Sequence, residues 1–148
     1  MSIKEASKRA SGESLIENGP RPLVVPESAI RNRRVRIVID FMNANLQRKI
    51  SLTELANVVD LSPSHLSQLF KTQSGLSPGE YLRRLRMEKA RRLLATSLLS
   101  IKQIMAQVGY DHRSNFVRHF RRYFDLAPSE YRERASNSHL AQTNRKIV

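Results

Sequence analysis

Apolar residues recur every three or four positions along most of this chain. Over residues ~31–47, Val35, Val38, Met42 and Leu46, with Ile39 beside them, form a stripe opposed by Arg33, Arg34, Arg36 and Asn43, the mark of an amphipathic helix. Helix start signals follow closely. Ser51 with Glu54, Ser77 with Glu80 and Ser100 with Gln103 have capping-box spacing, and Pro78 stands where a first helical residue belongs. Ile50 with Leu55, Leu76 with Tyr81 and Leu99 with Ile104 are placed as the matching hydrophobic staples. Ser62 before Pro63 starts a further helix, and Asp111 another. From Ser77 to about Thr96 the pattern runs unbroken, with Leu82, Leu85, Ala90, Leu93 and Leu94 inward and Arg83, Arg84, Arg86, Lys89, Arg91 and Arg92 around them. These signals predict an all-α fold of about seven helices and no sheet.

The pattern is also duplicated. LTELANVVDLSPSHLSQLFKTQSGLSPGEYLRR lies over IKQIMAQVGYDHRSNFVRHFRRYFDLAPSEYRER, at an offset of 49 residues up to Ser62/Asp111 and 50 from Leu66/Phe116 onward. One residue is inserted at the turn. Each copy reads as a short apolar helix, a tight turn at Asp60-Leu61-Ser62 or Gly109-Tyr110-Asp111, a second amphipathic helix, and then Leu-x-Pro-x-Glu-Tyr opening a third. Two short helices joined this way form the unit that presents a helix to the DNA major groove. Positions apolar in both copies are expected to be core: Leu52/Ile101, Leu55/Ile104, Val59/Val108, Leu61/Tyr110, Leu66/Phe116, Phe70/Phe120, Leu76/Leu126 and Tyr81/Tyr131.

Around this repeat the ends look different. Residues 1–28 mix Ser, Gly, Pro and charge without a period and read as a flexible lead-in, with an extended piece at Leu23-Val24-Val25 between prolines. Residues 136–148 are polar and read as a flexible tail. The expected organisation is a first helix-turn-helix subdomain over 29–76, a linker helix over 77–97 and a second subdomain over 98–135. A linker of about twenty residues spans ~30 Å, close to the ~34 Å between successive major-groove faces on one side of B-DNA. One polypeptide could then address two grooves as a monomer.

Charge narrows the class of partner. The chain carries 26 Lys and Arg against 13 Asp and Glu, a formal +13 with a pI near 11.0. Between Ala29 and Ala135 lie 20 basic and 9 acidic residues, so most of the excess belongs to the folded part and calls for a polyanion. Absence of cysteine excludes disulfides, a Cys-ligated zinc finger and a thiol nucleophile. His65, His112, His119 and His139 do not fall into a metal-ligand spacing with carboxylates, so no enzyme activity, cofactor or metal is expected. No apolar run is long enough to cross a membrane, and the expected location is cytoplasmic, on the nucleoid. Net charge alone would also suit a non-specific architectural or RNA-binding protein, from which competition by bulk DNA separates a specific reader.

With the core residues inward, the second helix of the first unit exposes Pro63, Ser64, Ser67, Gln68 and Lys71, and that of the second exposes His112, Arg113, Ser114, Val117, Arg118 and Arg121. Gln suits adenine, Arg forks onto guanine, Val meets a thymine methyl and Ser adapts to either. Lys71, Arg121 and Arg122, toward the helix ends, suit backbone phosphates.

Taken together, Leu55-Ala56 through Val59, the run LSPSHLSQLFKTQSGLSPGEYLRRLRMEKARRLL, and then IKQIMAQVGYDHRSNFVRHFRRYFDLAPSEYR resemble the DNA-binding domain of AraC/XylS-type bacterial transcription regulators, over about residues 31–135. Gly109-Tyr110, Phe116, Phe120, Tyr123-Phe124 and Pro128-x-Glu130-Tyr131 carry the likeness. The resemblance implies two helix-turn-helix subdomains on a long helix, sequence-specific binding of double-stranded promoter DNA, and transcription activation through RNA polymerase. Carried over by position, it puts base reading on Ser64, Ser67 and Gln68 in the first unit and on Arg113, Ser114, Val117 and Arg118 in the second. Asp125 stands where many relatives have Gly, and Ala127 where the first copy has capping Ser77. Relatives commonly carry an effector-sensing or dimerising domain, for which residues 1–28 are too short. Two arrangements stay open, a stand-alone regulator set by abundance and the end piece of a longer protein.

Overall fold

The computed structural model describes residues 21–147. Among them are seven α-helices and a short 3-10 turn at Glu27–Ala29, with no strand. The helices are α1 (Arg33–Ala44), α2 (Leu52–Val58), α3 (Pro63–Ser74), α4 (Pro78–Thr96), α5 (Ile101–Gln107), α6 (Arg113–Phe124) and α7 (Pro128–Ile147). The all-α reading holds: two helix-turn-helix units, α2–α3 and α5–α6, lie on either side of the long helix α4.

Caps set these boundaries. Ser51, Ser62, Ser77 and Ser100 each accept the backbone N–H three residues on, from Glu54, His65, Glu80 and Gln103. Of the three capping boxes expected, the one at Ser100 closes, with Gln103 Oε1 accepting from Ser100 N at 2.8 Å. The carboxylates of Glu54 and Glu80 turn to arginines instead. Asp111 does not cap α6: the cap position falls on His112, whose side chain makes no cap bond. The structure also relocates the insertion. Asp60 and Gly109, 49 apart, share left-handed backbone, and Leu61 and Tyr110 donate to matching carbonyls of Ala56 and Met105, whereas the caps Ser62 and His112 are 50 apart. Asp111 is therefore the extra residue.

Two hydrophobic cores form, and α4 belongs to both. The first gathers Val35, Val38, Ile39 and Met42 of α1, then Leu46, Leu55, Ala56, Val59, Leu66 and Phe70, with Tyr81 and Leu82 from the start of α4. The second gathers Met87, Ala90 and Leu94 from the rest of α4 with Ile104, Met105, Val108, Phe116, Phe120 and Phe124. Leucine at position 66 becomes phenylalanine at 116, and the second core is accordingly aromatic: Phe120 lies 4.7 Å from Phe124 and 5.6 Å, edge-on, from Tyr131, ring centre to ring centre. Such contacts add to simple area burial. Of the paired positions, Leu52 departs from the expected core, being 39% exposed at the first residue of α2, and Leu126 is half-buried and part of neither core.

The segment before α1 departs from the flexible reading given to residues 1–28. Residues 1–20 lie outside the described ones, but 23–25 form a bent strap along α4. Leu23 N donates to Glu88 Oε1 at 2.7 Å, Leu23 O accepts from Arg84 at 3.1 Å, and Val25 O accepts from the Tyr81 hydroxyl at 3.1 Å. Leu23 packs on the second core, Val24 on the first, and Ile30 is buried in the first. Three backbone bonds and three apolar anchors offset the entropy of ordering so short a stretch.

At the other end, helix α7 runs on to Ile147 where residues 136–148 were read as a tail. No Pro or Gly follows Pro128 to stop it, and Ala, Gln, Leu, Arg and Lys sustain the helix by propensity. Its first turns pack on α4, and Arg132 donates to the Leu99 carbonyl. Residues 136–146 are exposed.

Candidate nucleic-acid interface

The second helix of each unit buries one stripe and shows the other. In α3, Leu66, Phe70 and Ser74 are buried, while Ser64, Gln68 and Lys71 are exposed and Ser67 is half-buried. In α6, Phe116, Phe120 and Phe124 are buried, while Arg113, Ser114, Arg118, Arg121 and Arg122 are exposed and Val117 is half-buried. Steps of three and four residues put Ser64, Ser67, Gln68 and Lys71 on one face, and Ser114, Val117, Arg118 and Arg121 on the equivalent face fifty residues on. Lys71, Arg121 and Arg122 occupy the last turns, where cations also favour the helix dipole. Among the described residues, none of the basic side chains on these two faces is in an ion pair. Arg118 Nη2 rests on Asn115 Oδ1 at 3.0 Å, one turn back along its own helix.

Residues behind α6 hold it in place, and these were not legible as site residues. Glu80, near the start of α4, accepts from Arg83 at 2.7 Å, Arg84 at 3.0 Å and the Tyr123 hydroxyl of α6 at 2.7 Å. Burial acts to raise the Glu80 carboxyl, but the hydrogen bonds from Tyr123 and Arg84 and the charges of Arg83 and Arg84 outweigh it and hold the group below the usual carboxylate range. Arg84 also stacks on the Tyr123 ring, 5.7 Å from its centre. Arg86 reaches from α4 to the Leu46 carbonyl at 3.2 Å and the Arg48 carbonyl at 2.7 Å, and lies against the turn at Gly109. From sequence, Glu80 reads as a capping residue and Arg86 as one of the arginines around the apolar stripe of α4, and no local pattern marks either as a bridge between the units.

His119 faces inward from α6. Its Nδ1 is 2.7 Å from the Tyr110 hydroxyl, and the two rings meet edge-on. Burial pushes the imidazole below its ordinary value of 6.5, and the charges of Arg83, Arg118 and Arg122 push it further, against a smaller opposite pull from Glu80. Burial likewise pushes the Tyr110 phenol up to about 12, so its O–H stays intact beside the imidazole. The unfolded chain thus takes up the proton before the folded one does. The stability this group contributes is whole above pH ~6.5 and is lost as pH falls from there through the lower folded-state value. Thermal midpoints between pH 7.5 and 5 are expected to fall more steeply for the wild type than for His119→Gln; parallel profiles would refute the assignment.

Two outward-facing second helices, each on its own core and both anchored to one rod, define a tandem helix-turn-helix protein of the DNA-binding class. A family model described as a helix-turn-helix domain matches residues 55–134. The chain is 38% identical over 107 residues to the lactose operon transcription activator of Staphylococcus xylosus, spanning 72% of this chain and 38% of that protein. It is 34% identical over 97 residues to the raffinose operon transcriptional regulatory protein RafR of Pediococcus pentosaceus, spanning 66% of this chain and 35% of RafR. Among solved structures it superposes on a transcriptional regulator with an AraC-type DNA-binding domain from Chromobacterium violaceum, with a TM-score of 0.65 and 30% identity over 69% of this chain and 91% of that one. A DNA-binding transcriptional dual regulator from Escherichia coli K-12 gives a TM-score of 0.67 and 28% identity over 74% and 97% of the two chains. The chain belongs to the AraC-type helix-turn-helix family of bacterial transcription regulators. It spans less than half the length of the curated relatives it matches.

Proposed function

We propose that this chain is a sequence-specific reader of double-stranded promoter DNA that activates transcription, acting as a monomer and without an enzymatic step. α3 and α6 enter successive major grooves on one side of the duplex. Ser64, Ser67 and Gln68 read one half-site, and Arg113, Ser114, Val117 and Arg118 read the other, while Lys71, Arg121 and Arg122 hold phosphates. RNA polymerase is the partner through which activation works. The observation that carries this reading is that α4 is buried at one end in the first core and at the other in the second, so two exposed faces of matched chemistry share one rigid support. Nineteen residues of α4 at ~1.5 Å each give ~28 Å, the right order for grooves ~34 Å apart.

Selection of bound fragments from random duplex DNA tests it. The expected result is a bipartite site with half-sites about one helical turn apart, bound ~10³-fold or more tightly than bulk DNA. Recovery of no preferred sequence, or of one half-site alone, would count against it. Arg122→Ala separates positioning from reading: it is expected to weaken all sequences alike and to reduce the salt slope of log K by about 1, as one lost phosphate contact should. A loss confined to one sequence would show Arg122 to be a base reader.

A further inference from the structure

Glu80 stands on α4 but moves with the first unit. The two residues after it, Tyr81 and Leu82, are buried in the first core, and the Tyr81 ring meets Phe70 of α3 edge-on, 5.1 Å between centres. Tyr123 belongs to the second unit, one residue before buried Phe124 and packed on the second core. The 2.7 Å hydrogen bond from the Tyr123 hydroxyl to Glu80 Oε1 therefore crosses from one unit to the other. Arg84 fixes the same oxygen at 3.0 Å and Arg83 fixes Oε2 at 2.7 Å, while the Arg84 guanidinium covers the Tyr123 ring. All four side chains are half-buried, where a bond to a charged acceptor is stronger than in open water.

A second polar link lies on another side of the rod. Arg86 donates to the Leu46 and Arg48 carbonyls of the first unit and lies against Gly109 of the second. At ~100° of turn per residue, Glu80 and Arg86 stand about 120° apart around α4, so the two links resist bending in different directions. Duplex DNA makes that stiffness count. Each base pair added between half-sites carries the second groove ~3.4 Å along the duplex and ~34° around it. To follow, α6 must shift against α3 by more than the length of the Tyr123 hydrogen bond, and that bond has to break.

We propose that Glu80 and Tyr123 are positioning residues that set which half-site spacing the protein accepts, separately from the residues that read bases. The assignment rests on the reading of DNA by α3 and α6 proposed above. It adds a determinant of specificity that touches no base.

Wild type, Tyr123→Phe, Glu80→Ala and the double variant test this on duplexes carrying the selected site with its spacer shortened or lengthened by one or two base pairs. A further duplex keeps the second half-site and scrambles the first. Tyr123→Phe keeps the ring and loses only the hydroxyl, so its fold is preserved. It is expected to bind the selected spacing about threefold to tenfold more weakly, because α6 is freer before binding, and to lose a similar factor of its preference over altered spacers. On the lone half-site it should match the wild type. Glu80→Ala should flatten the spacing profile in the same way, and the double variant should add nothing to it, since both changes remove one bond. A Tyr123→Phe profile with the wild-type spacing preference overturns the proposal, as does an equal loss at every spacing and on the lone half-site, or additive effects in the double variant. Each of these leaves base reading by α3 and α6 standing. A wild type that ignores spacing overturns the proposal as well, and one that does not distinguish the selected site from a scrambled duplex removes the DNA-reading function with it.

Discussion

Gly109→Ala is expected to lower the unfolding free energy by about 3 kcal/mol, roughly twice the loss from Gly75→Ala. Both glycines have left-handed backbone, φ +76 and +79. That conformation alone costs a side-chain-bearing residue roughly 1–2 kcal/mol, and the chain tolerates it at Asp60 (φ 55) and Asp125 (φ 58). What separates the two glycines is their surroundings. A methyl at Gly75 would meet nothing within 4 Å, whereas at Gly109 it would press into the Leu46 carbonyl and lie 3.3 Å from the Arg86 guanidinium. The carbonyl is backbone and cannot rotate away, so overpacking adds roughly 1–3 kcal/mol. Leu46 belongs to the first core and Gly109 to the turn of the second unit, so the close approach fixes one unit against the other. Urea denaturation of both variants, with the wild type, checks the difference. Equal losses at the two positions would mean that the contact between units is not tight.

The expected loss at Gly109 depends on geometry that no local pattern carries, and the same division runs through the whole molecule. Seven helices, four serine caps and most paired core positions were legible because each depends on neighbours three or four residues away. Leu66/Phe116 and Phe70/Phe120 are buried as their spacing says. Leu52 has the same spacing and is exposed. Glu80 shows the limit more sharply. At capping-box distance from Ser77, its carboxylate is claimed by Arg83, Arg84 and Tyr123, the last of them 43 residues away, and this long-range bond positions α6. The strap at Leu23 and Val24 has no period at all, because its two side chains enter different cores. Exposure of Ser64, Gln68, Arg113, Ser114 and Arg118 followed from the core assignment, as the complement of a buried stripe, whereas Ser67 and Val117 at its edge are half-buried. Which base each would read depends on the partner's geometry and has no counterpart in the chain's own periodicity.

Among the proposed base readers, Arg118 carries the largest expected effect. Arg118→Ala should weaken binding to the selected site by about 1–3 kcal/mol, roughly 5- to 150-fold, and relax preference at one base pair while leaving the rest of the site intact. Arg118 stands one turn after Ser114 on the exposed face of α6, between Phe116 and Phe120, which are wholly buried and fix the helix that bears it. Among the described residues its guanidinium is held by Asn115 Oδ1 alone, an exposed contact that a guanine edge with two acceptors can replace. Arg118→Lys refines the test, because lysine keeps the charge but loses the planar fork. If Arg118 forks onto a base, the lysine variant should keep the salt slope and lose discrimination; if it holds a phosphate, the lysine variant should keep both. Gln68 sits at the matching position of α3, fifty residues earlier, and Gln68→Ala should relax one base pair in the other half-site by a smaller factor, since its bonds are not charge-assisted. A site preference identical to wild type in Arg118→Ala would show that α6 reads DNA through other residues. Relaxation at one base pair in each half-site, about one helical turn apart, would tie both helices to a single register on the duplex, the geometry that α4 imposes by ending in two cores.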